Sequence, residues 1–147
     1  MGEGILRSLL PPDIADQVKV LSAGTGALGG VPATTLAVAT TQHRGIDIRN
    51  HRATEITSER ISQADLILGM EPFHVARMRE LAPDKSDQIH LITEQSAEGT
   101  EASRHGIIDP IGGSAVEYDD TFNRIRSHLL RWLPLIREAV ERRQGVR

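Results

Sequence analysis

The sequence predicts an α/β domain in which helices cover a parallel β-sheet on both faces. The first observation is that short apolar runs alternate along the chain with segments whose apolar residues recur at helical spacing. The second is that these apolar runs are nearly continuous, as expected for strands that are buried on both faces of a parallel sheet. Together they predict three layers, with the sheet between two layers of helices.

Three segments are predicted to be strands. Residues 18–23 are β-branched or apolar at most positions and end at Gly24, which favours a turn. Residues 64–70 and 88–93 are similarly apolar, and a helical pattern separates one from the other. Crossover connections between parallel strands require this order of elements.

Helices are predicted between these strands and at the end of the chain. Helical patterns start at Pro32 and Pro72, because proline is well tolerated in the first turn of a helix, and a shorter pattern covers residues 59–63. Ser114 and Glu117 match a capping box, which predicts the start of a long final helix.

The chain also begins with a predicted helix, which no strand precedes. Ile5, Leu6, Leu9 and Leu10 form one apolar face ahead of two prolines. A right-handed crossover starts from a strand. We therefore expect the sheet of this chain to lack its first strand.

The composition predicts one domain, residues 1–147, with a core of its own. The sequence has 39% hydrophobic residues, and no apolar run approaches the roughly 20 residues that cross a bilayer. The net charge is −3, so no binding to nucleic acid or membranes is expected. No secretion signal is recognised, and a cytoplasmic location is expected. The sequence contains no cysteine, which excludes disulfides and a cysteine nucleophile within these residues.

Two patterns bear on cofactors and metals. Residues 24–29 read G-x-G-x-x-G after a predicted strand, but a dinucleotide-binding helix would begin at these glycines, and Pro32 would then fall within its first turns. A flexible loop is the preferred interpretation, and nucleotide binding stays open as an alternative. The six histidines form no pair at helical spacing, so no metal site is expected and no cofactor is predicted.

Asp109 is the candidate catalytic residue. It precedes Pro110 in a polar segment, residues 93–113, which leads into the final helix. Asp-Pro followed by glycines is also ordinary turn chemistry. The functional interpretation is a partly buried carboxyl that a proline turn holds over a site. Ligands of open α/β sheets bind at the carboxyl ends of the strands, where this segment is expected.

Three segments in a fixed order carry a family resemblance. They are Ser22-Ala-Gly-Thr-Gly, Ala64-Asp-Leu-Ile-Leu-Gly-Met and Asp109-Pro-Ile-Gly-Gly-Ser. Together they resemble the bacterial low-molecular-weight protein tyrosine phosphatases, whose scaffold is shared by related arsenate reductases. The resemblance implies a phosphotyrosine phosphatase I-like fold, in which the missing first strand would lie at the centre of the sheet, between residues 18–23 and 64–70.

The resemblance implies a reaction for which this chain lacks the nucleophile. In the family, the cysteine of a C-x5-R loop near the N-terminus attacks phosphorus, while the loop's backbone N–H groups and arginine hold the phosphate. Residues 1–7 are similar to the segment that follows this loop, and Arg7 is not the loop arginine. We therefore expect an N-terminally truncated domain that is inactive as given. Of the catalytic set, the resemblance assigns only the general acid, Asp109, which protonates the leaving oxygen.

The resemblance leaves the substrate open. Family members often have aromatic side chains at the rim of the substrate pocket, and here Leu28 and Ile111 stand at those places. A phosphorylated protein, phosphoarginine or another small phosphomonoester is the expected substrate once the missing loop is present. A homodimer is expected as one way to fill the gap in the sheet. The alternative function is a non-catalytic interaction or regulatory protein on the same scaffold.

Overall fold

The computed structural model describes residues 1–26, 29–96 and 102–145, with the side chain of Ala102 left out. Six α-helices and two β-strands lie in these ranges. They are α1 (Gly2–Leu9), α2 (Thr35–Gln42), α3 (Ser58–Gln63), β1 (Ile67–Gly69), α4 (Pro72–Leu81), β2 (Ile89–Leu91), α5 (Ala102–His105) and α6 (Ala115–Arg143). Short 3-10 turns occur at Ala15–Gln17, Pro83–Gln88 and Ile92–Gln95.

The two strands form a parallel sheet. Ile67 lies opposite Ile89, and Gly69 lies opposite Leu91. Helix α4 connects the strands in the chain, as a crossover between parallel strands requires. The predicted α/β class with parallel pairing is therefore confirmed, although the sheet of the described residues has two strands instead of three.

The prediction of a strand at residues 18–23 is wrong. This segment has no regular secondary structure, and within the described residues no strand pairing joins it to β1. Only Gly24, just beyond it, forms a parallel bridge to Glu55, where the Gly24 N–H donates to the Thr54 carbonyl at 2.8 Å. The physical reason is that a strand is defined by its partner, and a cleft separates this segment from β1.

The predicted helices are confirmed, and side chains cap the first turns of α2, α3 and α6. The capping box of α6 is formed, with the Glu117 N–H donating to the Ser114 Oγ at 3.3 Å. Helix α2 begins later than its proline suggests, because Thr34 Oγ1 accepts the Ala37 N–H at 3.3 Å and is the N-cap. In the ranges that the structure describes, no helix is long and apolar enough to cross a membrane.

Two apolar clusters lie on opposite faces of β1. Leu68 packs against the first and Ile67 against the second, since successive side chains of a strand point to opposite faces. The Leu68 cluster, from α1, α6 and the segments between them, contains Ile5, Ile92, Ile107, Phe122, Ile125 and Leu129. The Ile67 cluster contains Ile61, Val75, Met78, Ala82 and Ile89. Helices thus cover both faces of the small sheet, as the sequence predicts.

Candidate active site

The loop that carries Asp109 is attached to the end of β1. The Ile107 N–H donates to the carbonyl of Met70, the residue that follows β1, at 2.7 Å. The Ile107 side chain is buried in the Leu68 cluster, and only 2% of its surface is exposed. Gly106 turns the chain into this contact with a φ of +71°. Asp109 therefore lies at the carboxyl end of β1, the edge at which the sequence predicts it.

Two further contacts fix this loop, one from α6 and one within the loop. The Arg124 Nη2 donates to the Gly106 carbonyl at 3.1 Å. A turn follows Asp109, in which the Gly113 N–H donates to the Pro110 carbonyl at 2.8 Å. The turn leads directly into the capping box of α6. The backbone on both sides of Asp109 is thus held by hydrogen bonds.

The Asp109 side chain is exposed, so the expected partial burial is not found. Its Oδ1 accepts the Ile111 N–H at 3.0 Å. Aspartate commonly accepts the N–H two residues ahead in this way, and the contact orients the carboxyl group. The carboxyl is accessible to an incoming ligand while its direction is set by the backbone.

Exposed apolar side chains occur in the Asp109 loop and in the first turn of α6. Ile111, predicted to line the pocket rim, is 69% exposed, and the equally exposed Ile108 precedes Asp109 directly. Val116, in the first turn of α6, is 67% exposed. Leu28, the other predicted rim residue, lies outside the described residues. The sequence analysis missed Ile108 and Val116, although apolar residues within a polar segment are a signal that could have found them.

A cleft of about 330 Å³ opens between residues 20–25 and β1. Met1 lines one end of it. Burial lowers the pKa of the Met1 amino group, and the carboxylates of Glu3 and Asp109 act in the opposite direction. Asp109 is therefore within electrostatic reach of the first residue of α1.

A second cavity, of about 430 Å³, also borders α1 but does not include Asp109. Glu3 in this cavity is already paired, since its Oε2 lies 3.3 Å from the His51 Nδ1 and 3.4 Å from the Arg7 Nη1. Hydrogen bonds from Arg49 lower the pKa of Asp47 at its edge to about 2. Within the described parts of the chain, no three histidine or acidic side chains are grouped in a way that could hold a metal ion.

The glycine pattern at residues 24–29 does not begin a helix. Residues 27 and 28 lie outside the described residues, and α2 starts at Thr35, several residues after the last of these glycines. The helix N-terminus that would bind a dinucleotide pyrophosphate is therefore not at this turn. The geometry favours the loop interpretation over nucleotide binding.

The family is decided by comparison with known proteins. The family model of low molecular weight phosphotyrosine protein phosphatase matches residues 1–144. The chain belongs to this family. A probable low molecular weight protein-tyrosine-phosphatase, EpsP of Ralstonia nicotianae, is 33% identical over 137 residues, which are 93% of this chain and 86% of the relative.

Solved structures of relatives share the fold. Wzb of Vibrio vulnificus, in complex with benzylphosphonate, superposes with a TM-score of 0.74 at 27% identity, covering 90% of this chain and 86% of that one. The YwlE arginine phosphatase of Geobacillus stearothermophilus gives a TM-score of 0.78 at 25% identity, covering 94% and 84%. The predicted family resemblance is confirmed. The 147 residues contain no cysteine, so the nucleophile that the family resemblance implies is not among them.

Proposed function

We propose that this chain supplies the scaffold and the general acid of a low-molecular-weight phosphatase, in which Asp109 protonates the leaving oxygen of a phosphomonoester. The observation that carries this proposal is the position of Asp109. Its carboxyl is exposed and oriented by the Ile111 N–H, on a loop held at Met70 and Arg124. A general acid needs this combination of access and fixed direction.

The substrate class that we propose is a phosphorylated protein or a small phosphomonoester. The Vibrio relative is in complex with benzylphosphonate, and the Geobacillus relative is an arginine phosphatase. The exposed Ile108 and Ile111 would contact the group that carries the phosphate, and neither side chain selects strongly for an aromatic ring. Phosphotyrosine and phosphoarginine substrates are therefore both to be assayed.

We propose a single domain over residues 1–147. The Leu68 cluster supports this, because it joins Ile5 near the start of the chain to Leu129 in the last helix. A cytoplasmic location stays a prediction. The absence of nucleic-acid binding is also a prediction, and the net charge of −3 supports it. The expected homodimer is also a prediction, which sedimentation of the purified chain tests.

The test compares the chain alone with a chain extended at Met1 by a strand and a C-x5-R loop of the kind that the family resemblance implies. The chain alone is expected to hydrolyse p-nitrophenyl phosphate and phosphoarginine at background rates, because no cysteinyl-phosphate can form. In the extended chain, Asp109→Asn is expected to lower kcat by roughly 10²–10⁴-fold, as for a lost general acid.

Asp120→Asn is the matched control, since Asp120 is an exposed aspartate within α6, past its capped first turn. It is expected to change kcat by less than about twofold. An Asp109→Asn rate equal to that of the control would remove Asp109 from the mechanism. Turnover by the unextended chain that disappears in Asp109→Ala would show that a cysteine is not required.

A further inference from the structure

A cationic cluster lies on one side of α6, against the segment that follows β2. Arg124, His128 and Arg131 stand at positions i, i+4 and i+7 of the helix, so their side chains lie along the same face. Ser96, which follows the 3-10 turn at Ile92–Gln95, reaches this face, because its Oγ lies 3.2 Å from the His128 Nδ1. These four side chains, here called the Ser96 cluster, come from two segments that are far apart in the sequence.

Both arginine side chains of the Ser96 cluster are held in place, although they are exposed. The Arg131 Nη1 donates to the Gln95 carbonyl at 3.3 Å, and the Arg124 Nη2 donates to the Gly106 carbonyl at 3.1 Å. A guanidinium carries several N–H donors, so each group can still donate to a ligand after its bond to a carbonyl. An exposed arginine normally loses rotamer freedom when it binds a ligand, and here much of that loss has already occurred on folding.

No salt bridge among the described residues neutralises the Ser96 cluster. Further along α6, Arg137 is paired with Asp13, whereas Arg124 and Arg131 donate to carbonyl oxygens. The His128 imidazole senses the same imbalance, since burial lowers its pKa and the charges of the two arginines lower it further. An incoming anion would therefore meet a positive field that no carboxylate of the described residues already cancels.

We infer that the Ser96 cluster is a binding site for a phosphate-type oxyanion, either free phosphate or the phosphoryl group of a small phosphomonoester. The planar fork of a guanidinium matches the spacing of phosphate oxygens, and the cluster offers two such forks. When His128 binds a proton, its Nδ1–H donates to the Ser96 Oγ, which leaves the Ser96 O–H to donate to the anion. The inference does not depend on the role of Asp109, so it can fail while the proposed function stands.

Arg126 provides the matched control for this site. It is an exposed arginine of α6 that lies two residues from both Arg124 and His128. Residues two apart on a helix do not face each other, so Arg126 does not share the face that Ser96 contacts. It carries the same charge on the same helix. Its substitution therefore measures the effect of net charge alone.

The probe is inorganic phosphate, titrated into the purified chain at constant ionic strength with chloride as the balancing anion. The imidazole resonances of His128, assigned by their loss in His128→Gln, are followed by NMR. We expect a saturable shift with one phosphate per chain and a dissociation constant on the order of 1 mM or below. The pKa of His128 should rise in saturating phosphate, because a neighbouring anion favours the protonated imidazole. Glycerol 2-phosphate is titrated in the same way, and the tighter ligand of the two identifies the source of the phosphoryl group.

Two variants each remove a donor from the site. Arg131→Gln and Ser96→Ala are both expected to weaken phosphate binding at least about fivefold. Arg126→Gln removes the same charge as Arg131→Gln and should change the dissociation constant by less than about twofold. Each variant is also melted without phosphate, so that a loss of binding is counted only where the fold is kept.

Three results would overturn the inference. His128 resonances that show no saturable shift up to about 50 mM phosphate would mean that the site is absent. Equal losses of binding in Arg131→Gln and Arg126→Gln would mean that net charge attracts the anion without a defined site. Saturable binding with an unchanged pKa of His128 would mean that the anion binds elsewhere. The titration of the unmodified chain decides the question even where a variant fails to fold.

Discussion

Replacing Gly106 by alanine is expected to destabilise the fold by about 3–5 kcal/mol and to displace the Asp109 loop. The φ of +71° alone costs an L-residue roughly 1–2 kcal/mol. An added Cβ would lie 2.1 Å from the Met70 carbonyl oxygen. This oxygen belongs to the backbone, so it cannot relieve the clash by changing a side-chain rotamer. The loop must shift, and the hydrogen bond from Ile107 to Met70 is then lost, at a further cost of about 0.5–1.5 kcal/mol. The buried Ile107 side chain moves with it and loses part of its packing.

The matched control is Gly112→Ala in the same loop. Gly112 has a φ of +79°, but an added Cβ would meet nothing within 4 Å. This variant is therefore expected to lose only the roughly 1–2 kcal/mol of the backbone conformation. Urea unfolding, monitored by circular dichroism, measures the free energy of unfolding of both variants. Equal losses in the two variants would refute the claim that close approach to Met70 holds the loop in place.

Two further predictions concern α6. Burial lowers the pKa of His128, and the positive charges of Arg124 and Arg131 act in the same direction. As the pH falls, the His128 imidazole is therefore protonated in the unfolded chain before it is protonated in the folded chain. The free energy of unfolding should therefore decrease as the pH falls from about 7.5 through the folded-state pKa, and urea titrations of His128→Gln should show a shallower decrease. Trp132→Phe removes the indole N–H that donates to the Ile92 carbonyl at 2.8 Å, and should cost about 2–3 kcal/mol. An unchanged free energy of unfolding, measured by urea titration with circular dichroism, would show that this buried hydrogen bond makes no net contribution to stability.

The helices and the place of Asp109 could be predicted because local chemistry determines them. The capping box of Ser114 and Glu117 forms as its spacing predicts. Asp109 lies at the carboxyl end of β1 because chain order in an α/β fold places such loops there. The exposure of Asp109 could not be predicted, since it depends on the contacts of Gly106 with Met70 and Arg124, which are distant in the sequence.

The wrong prediction of a strand at residues 18–23 shows what an apolar pattern cannot establish. Its composition correctly indicates burial at Val20, which packs against α6. Burial of a side chain does not create a ladder, because backbone pairing requires a neighbouring strand at about 4.8 Å. β1 is likewise only three residues long, although the apolar run around it is longer. Strand propensity describes how well a residue fits a sheet surface. It does not establish that a neighbouring strand is available for pairing.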